Sequence, residues 1–143
     1  MKNLWPVKFE PSTLRAPKTI LEEQAGFLAQ ITGGLVIAEL SSASSLDRIR
    51  MSPSRDFAFR LDIVGPFLDN FRFNVLLLSH DVALYPVAVM LEEEVGKELG
   101  AAKSYGEYEI RAASPDELEA TLETVLKSKR IDSVIGSIMS LSK

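Results

Sequence analysis

His80 is the only histidine in the chain, and it sits in Ser79-His80-Asp81 at the end of a predicted strand. An antiparallel hairpin through this region sets Asp56 opposite it, which gathers a serine, a histidine and two carboxylates, the ingredients of nucleophilic catalysis. Neighbouring residues on a strand point to opposite faces, so Ser79 and His80 do not face one another as nucleophile and base. Nothing resembling a nucleophile elbow or an oxyanion hole accompanies them. A structural or solvated role is therefore expected for His80, and no catalytic residue is assigned.

The other chemistry-bearing groups read as structural too. Glu92-Glu93-Glu94 are three successive acids, which share no single face of a strand or a helix and suit a solvated loop. One histidine, no cysteine and no calcium-loop spacing of acids leave no expected metal site. Gly33-Gly34, and Gly96 with Gly100, match neither a dinucleotide fingerprint nor a P-loop and are expected as caps and turns, so no cofactor is expected. Lys127, Lys129 and Arg130 form the one basic cluster, placed where cations favour a helix C-terminus. Trp5, Tyr85, Tyr105 and Tyr108 are the aromatics expected to be partly exposed, as interface anchors or as edge packing.

Composition narrows the classes further. A chain of 143 residues buries roughly two thirds of its unfolded surface in one core. A single domain over residues 1–143, ordered nearly throughout, is expected. A net charge of −4 opposes phosphate-backbone binding, which makes nucleic acid an unexpected partner. Charges and prolines in Lys2-Asn3-Leu4-Trp5-Pro6-Val7-Lys8-Phe9-Glu10-Pro11 interrupt the apolar run of a signal peptide, and no segment approaches the roughly 20 apolar residues that span a bilayer. A cytoplasmic protein without a membrane partner is expected.

The elements that position these residues follow from periodicity. Pro17 opens a helix whose Ile20, Leu21, Ala25, Leu28 and Ile31 recur at helical spacing, and Gly33-Gly34 stops it. Leu35 to Leu40 reads as a strand, and the serine-rich stretch from Ser41 to Arg55 as an exposed, mobile loop. Leu84 to Leu91 reads as a strand with Pro86 at an edge, a start or a bulge, Glu92 to Gly106 as a loop or a short helix, and Glu107 to Arg111 as a fifth strand. Ser114-Pro115-Asp116-Glu117 is a helix start with a serine cap, and Ile131, Val134, Ile135, Ile138 and Met139 stripe a terminal helix.

The strongest pattern is a hairpin. Phe57, Phe59, Leu61 and Ile63 alternate with Ala58, Arg60, Asp62 and Val64, then after a Gly65-Pro66 turn Phe71, Phe73, Val75 and Leu77 alternate with Arg72, Asn74, Leu76 and Leu78. Setting Ile63 opposite Phe73 pairs Leu61 with Val75 and Phe59 with Leu77, giving one wholly apolar face. The second face pairs Asp62 with Asn74, Val64 with Arg72, Arg60 with Leu76 and Ala58 with Leu78, a mixture that is often half covered by a loop or another subunit.

The segment Pro17 to Ala25, Leu84-Tyr85-Pro86-Val87 on a mid-chain strand and the Ser-Pro-Asp-Glu helix start together resemble small bacterial accessory proteins of the kind carried by mobile elements and gene cassettes. That resemblance brings no established activity or site residue with it.

The expected fold is therefore α+β: an antiparallel sheet of four to five strands, an N-terminal helix and two C-terminal helices packed on one face. The expected function is a non-enzymatic binding or interaction module, a homo-oligomer that covers the mixed face. The alternatives are a small enzyme or small-molecule binder using Asp56, Arg60, Asp62, His80 and Asp81, and an accessory component of a toxin, defence or DNA-processing system.

Overall fold

The computed structural model describes residues 1–51 and 55–143. Its elements run α1 (Pro17–Ile31), β1 (Ile37–Ser42), α2 (Ser45–Arg50), β2 (Phe57–Gly65), β3 (Phe71–His80), β4 (Val87–Leu91), α3 (Glu93–Leu99), β5 (Ala102–Ser104), β6 (Glu107–Ala112), α4 (Pro115–Leu126) and α5 (Lys129–Leu141). The strands form one antiparallel sheet in the order β1-β2-β3-β4-β6-β5. The fold class is α+β, with one more strand and two more helices than the sequence reading expects.

Each extra element is too short for periodicity to register. β5 has only three residues, all exposed. Helix α2 occupies the stretch expected to be a loop because Ser44 and Asp47 close a capping box, the serine hydroxyl taking the Asp47 N–H and the Asp47 carboxylate taking the Ser44 N–H. Ser52, Pro53 and Ser54 of that stretch lie outside the described residues. Helix α3 begins at the acidic run: Glu92 caps it by accepting the Val95 N–H at 3.0 Å, and Glu93 and Glu94 sit in its first turn, where the helix dipole favours acids.

Helix α1 ends where the glycines stand, with Gly33 and Gly34 at φ of 63° and 83°. Thr32 stitches this end to the sheet, its one hydroxyl hydrogen shared between the Leu28 and Val36 carbonyls while its oxygen accepts the Val36 N–H. Pro86 directly precedes β4, the strand-start position among those its missing N–H allows. The basic cluster divides differently from expectation. Lys127 is the C-cap of α4 and pairs with Glu123, but Lys129 and Arg130 open α5, where Glu98 accepts both of their backbone N–H groups.

The main core lies between the sheet and a layer made by the helices. Ile20 and Leu21 of α1, Val95 of α3, Leu118, Leu122 and Val125 of α4 and Ile131 and Ile138 of α5 meet Leu61, Ile63, Leu76, Leu78, Val87 and Val89. Gly96, expected as a turn or cap, instead lets α3 lie against β6: a Cβ there would stand 2.2 Å from Tyr108 Cγ.

The hairpin register agrees with the sequence reading only near the turn. Asp62 pairs with Asn74, Ile63 with Phe73 and Val64 with Arg72, but a bulge between Leu61 and Asp62 shifts every later pair by one, so Leu61 meets Leu76, Arg60 meets Leu77 and Phe59 meets Leu78. Asn74 holds the bulge together, its side-chain amide donating to the Leu61 and Leu76 carbonyls at 3.2 Å each. The expected wholly apolar face is corrected accordingly. Val75 and Leu76 both enter the main core, while Leu77 turns to the second face, where it packs with Met51, Ala58 and Met90. Phe57, at the open end of the hairpin, and Phe71, beside its turn, are about half exposed.

Candidate functional site

The second face of the sheet is where the chain concentrates buried charge. Arg60 and Asp62 lie two residues apart on β2 and share that face. Arg60 Nε donates to both Asp62 oxygens at 2.9 and 3.0 Å, and its Nη1 donates to Asp47 Oδ1 at 2.9 Å. The Asp47 and Asp62 side chains are only 5% and 4% exposed. Asn74 donates to Asp62 Oδ1 at 3.1 Å, while Arg72 stands 3.6 Å from Asp62 Oδ2 and pairs with Glu39 on β1.

Asp47 joins two structures with one carboxylate: Oδ2 caps α2 and Oδ1 meets the sheet through Arg60. Burial acts to raise its pKa. The Ser44 backbone N–H, the Ser44 hydroxyl and Arg60 outweigh that and hold the carboxyl below its ordinary value. Burial likewise opposes the charge on Arg60, and its two carboxylates outweigh it and raise the guanidinium. All four carboxylate oxygens are engaged, so the cluster docks α2 onto the sheet and offers no free base. Asp47 was hidden from the sequence reading inside a serine-rich stretch; its signal is the capping spacing Ser44-x-x-Asp47.

The structure does not gather the five residues Asp56, Arg60, Asp62, His80 and Asp81. Only Arg60 and Asp62 meet side chain to side chain. His80 is 5% exposed, pairs with Phe57 where Asp56 was expected, and stacks on Phe57 and Phe59 with centroids 5.3 and 6.1 Å away. Its Nδ1 lies 2.7 Å from the Asp81 carbonyl, and since a carbonyl only accepts, Nδ1 carries the hydrogen. Ser79, by contrast, lies on the second face. Asp81 reaches Arg55 at 3.9 Å, and Asp56 offers its backbone carbonyl to Arg48 at 3.4 Å.

The cross-strand row Ala58, Ser79, Ala88, Arg111 runs from β2 to β6 on this second face. Its first three members are small. They leave a cavity of about 50 Å³ beneath the end of α2, walled by Arg50, Arg55, Arg111, Glu107 and Glu109.

A second feature stands apart from the sheet. Residues 1–16 form neither helix nor strand and are exposed up to Arg15. Leu4, Trp5, Val7 and Phe9 are 85%, 74%, 105% and 65% exposed, and the one ring contact among them is Trp5 edge-on to Phe9. Arg15 anchors the base of this arm through Glu23 and Glu119, and its carbonyl accepts from the Tyr85 hydroxyl at 2.7 Å. Burial pushes Tyr85 above its ordinary pKa, Arg15 opposing and Glu119 adding to the shift. Of the four aromatics singled out above, Trp5 and Tyr105 are exposed, while Tyr85 and Tyr108 are half-buried, Tyr85 against the arm's base and Tyr108 against Gly96.

Among the described residues no helix is long and apolar enough to cross a membrane, and no three histidine, aspartate or glutamate side chains stand together as a metal site. Comparison with known protein families, with curated proteins and with solved structures finds no match for this chain.

Proposed function

We propose that the chain is a non-enzymatic interaction module that self-associates, each copy docking its N-terminal arm on a second copy. The observation that carries this reading is the run of Leu4, Trp5, Val7 and Phe9, apolar side chains held almost wholly in water by a segment with a fixed base. Trp and Phe are the residue types that anchor interfaces, and water-exposed they contribute nothing to the fold.

The same chain carries a matching receiver. Leu68, Phe71, Phe73, Val134, Ile138 and Leu141 line a groove of about 520 Å³ between the β2–β3 turn and α5. The arm's base lies at the β3–β4 end of the sheet and the groove at the β2–β3 end. Two copies related by a two-fold can therefore each give an arm and receive one. Trp5 and Phe9, at 74% and 65% exposure, bring roughly 200–350 Å² per arm. Two arms, the matching groove surface and the additions from Leu4 and Val7 bring the total into the ~1,200–2,000 Å² of a stable interface.

The test is light scattering at tens of micromolar on the full chain and on the double variant Trp5→Ser, Phe9→Ser. This reading expects twice the 15.8 kDa chain mass for the unaltered protein and the single-chain mass for the variant. A single-chain mass for the unaltered protein overturns it.

A further inference from the structure

We infer that the cavity over the Ala58–Ser79–Ala88 row is a binding site for a tetrahedral oxyanion of the phosphate or sulfate type, a ligand role separate from the arm. Three observations converge on it.

The first is charge. Arg50, Arg55 and Arg111 enter from three different segments, against two lining carboxylates, Glu107 and Glu109. Each arginine turns its Nε toward an acid: Arg50 to Glu107 at 3.4 Å, Arg111 to Glu109 at 3.1 Å and Arg55 to Asp81 at 3.9 Å. Those pairings engage Nε, and among the described residues none of the three uses its Nη groups in a hydrogen bond. The Nη groups form the forked end that suits an oxyanion.

The second is Ser79. It is 2% exposed and lines the cavity, and its hydroxyl has no hydrogen-bond partner among the described residues. That hydroxyl is a free donor at the floor of a polar hole, open to an acceptor that enters there. Position 79 lies between Ala58 and Ala88, where a larger aliphatic residue would fill the space and pack against Met51 and Met90. The row stays small, and the hole stays open.

The third is size. At about 50 Å³ the cavity is far below the roughly 300–1,000 Å³ of cofactor or drug-sized pockets. One water needs ~10–15 Å³ on the same measure, so the space holds about three to five oxygen-sized positions, the span of a tetrahedral four-oxygen anion.

The experiment is calorimetric titration of the full chain with inorganic phosphate and with glycerol phosphate, set against chloride and acetate at matched ionic strength. Binding of phosphate is expected where chloride shows none and acetate is at least tenfold weaker. Tighter binding of the ester identifies a phosphate monoester as the natural form, and preference for inorganic phosphate identifies the free ion. Ser79→Ala is expected to weaken phosphate about tenfold and Arg111→Gln about ten- to a hundred-fold, since each removes a donor to a charged ligand. Phosphate and chloride behaving alike on the unaltered chain, or acetate matching phosphate, overturns the assignment without reference to any variant. Unchanged phosphate affinity in both variants overturns it too.

Discussion

Replacing Arg60 by methionine removes a charge while keeping most of the aliphatic stem that packs on the sheet. It also leaves two aspartates, 5% and 4% exposed, without their shared cation. Breaking a fully buried ion pair from one side costs ~3–5 kcal/mol. Three features reduce that here: Arg60 is itself 31% exposed, Arg72 remains 3.6 Å from Asp62, and the Ser44 N–H remains on Asp47. The expected loss is about 2–3 kcal/mol at neutral pH, or roughly 8–12 °C in Tm for a chain of this size.

Urea denaturation of both proteins at pH 7 and near pH 3.5 adds a sign to the magnitude. In the unaltered protein the folded Asp47 pKa is depressed, so the unfolded state binds more protons and stability falls on acidification. In the variant the Arg60 share of that depression is gone while burial still opposes the charge, so the folded Asp47 takes up the proton more readily than before and acidification costs the variant less. The gap between the two proteins should therefore shrink toward acid. A difference below about 0.5 kcal/mol at pH 7, or one that is equal at the two pH values, refutes the reasoning that Arg60 neutralises buried carboxylates.

Two further predictions concern the fold. Gly96→Ala places a Cβ 2.2 Å from Tyr108 Cγ and should destabilise by about 1–3 kcal/mol, although alanine favours a helix by ~1 kcal/mol; a variant as stable as the original removes the helix–strand contact from the account. Asp47→Asn should flatten the stability profile on the acid side. The contribution it removes is fully present above the unfolded carboxylate value of about 3.9 and is lost as pH falls through the lower folded value, so unaltered protein and variant should converge as the titration is carried toward pH 2.

How far the sequence revealed these features depended on whether the side chains carry a period. Alternation through Phe57, Phe59, Leu61 and Ile63 is legible because Arg60 and Asp62 interrupt it. Val75-Leu76-Leu77-Leu78 is apolar at every position, so a one-residue slip leaves no mark, and the bulge is announced only by an asparagine in mid-strand. Ser114-Pro115-Asp116-Glu117 is recognisable because a long apolar stripe follows it; the equivalent signal at Ser44 and Asp47 precedes only six helical residues and is lost among serines. Arg60 and Asp62 share a face by spacing alone, but their partner Asp47 comes from outside the hairpin. The cavity is harder still to foresee. Ala58, Ser79 and Ala88 become neighbours only through two strand registers, one of them shifted by the bulge, and Arg50, Arg55 and Arg111 converge from α2, the start of the hairpin and β6. The arm poses the opposite problem. Trp5 is visible as an aromatic of uncertain burial, and its exposure follows from residues 1–14 having no element of the chain laid over them.

Trp5 is the only tryptophan, so its fluorescence reports the arm alone, without a label or a substitution. Emission spectra across a dilution series, from tens of micromolar to nanomolar, test arm docking most directly. The account predicts blue-shifted emission at high concentration that moves to the solvent-exposed position on dilution, in step with the halving of mass. Solvent-exposed emission at every concentration, or blue-shifted emission that dilution leaves unchanged, contradicts it.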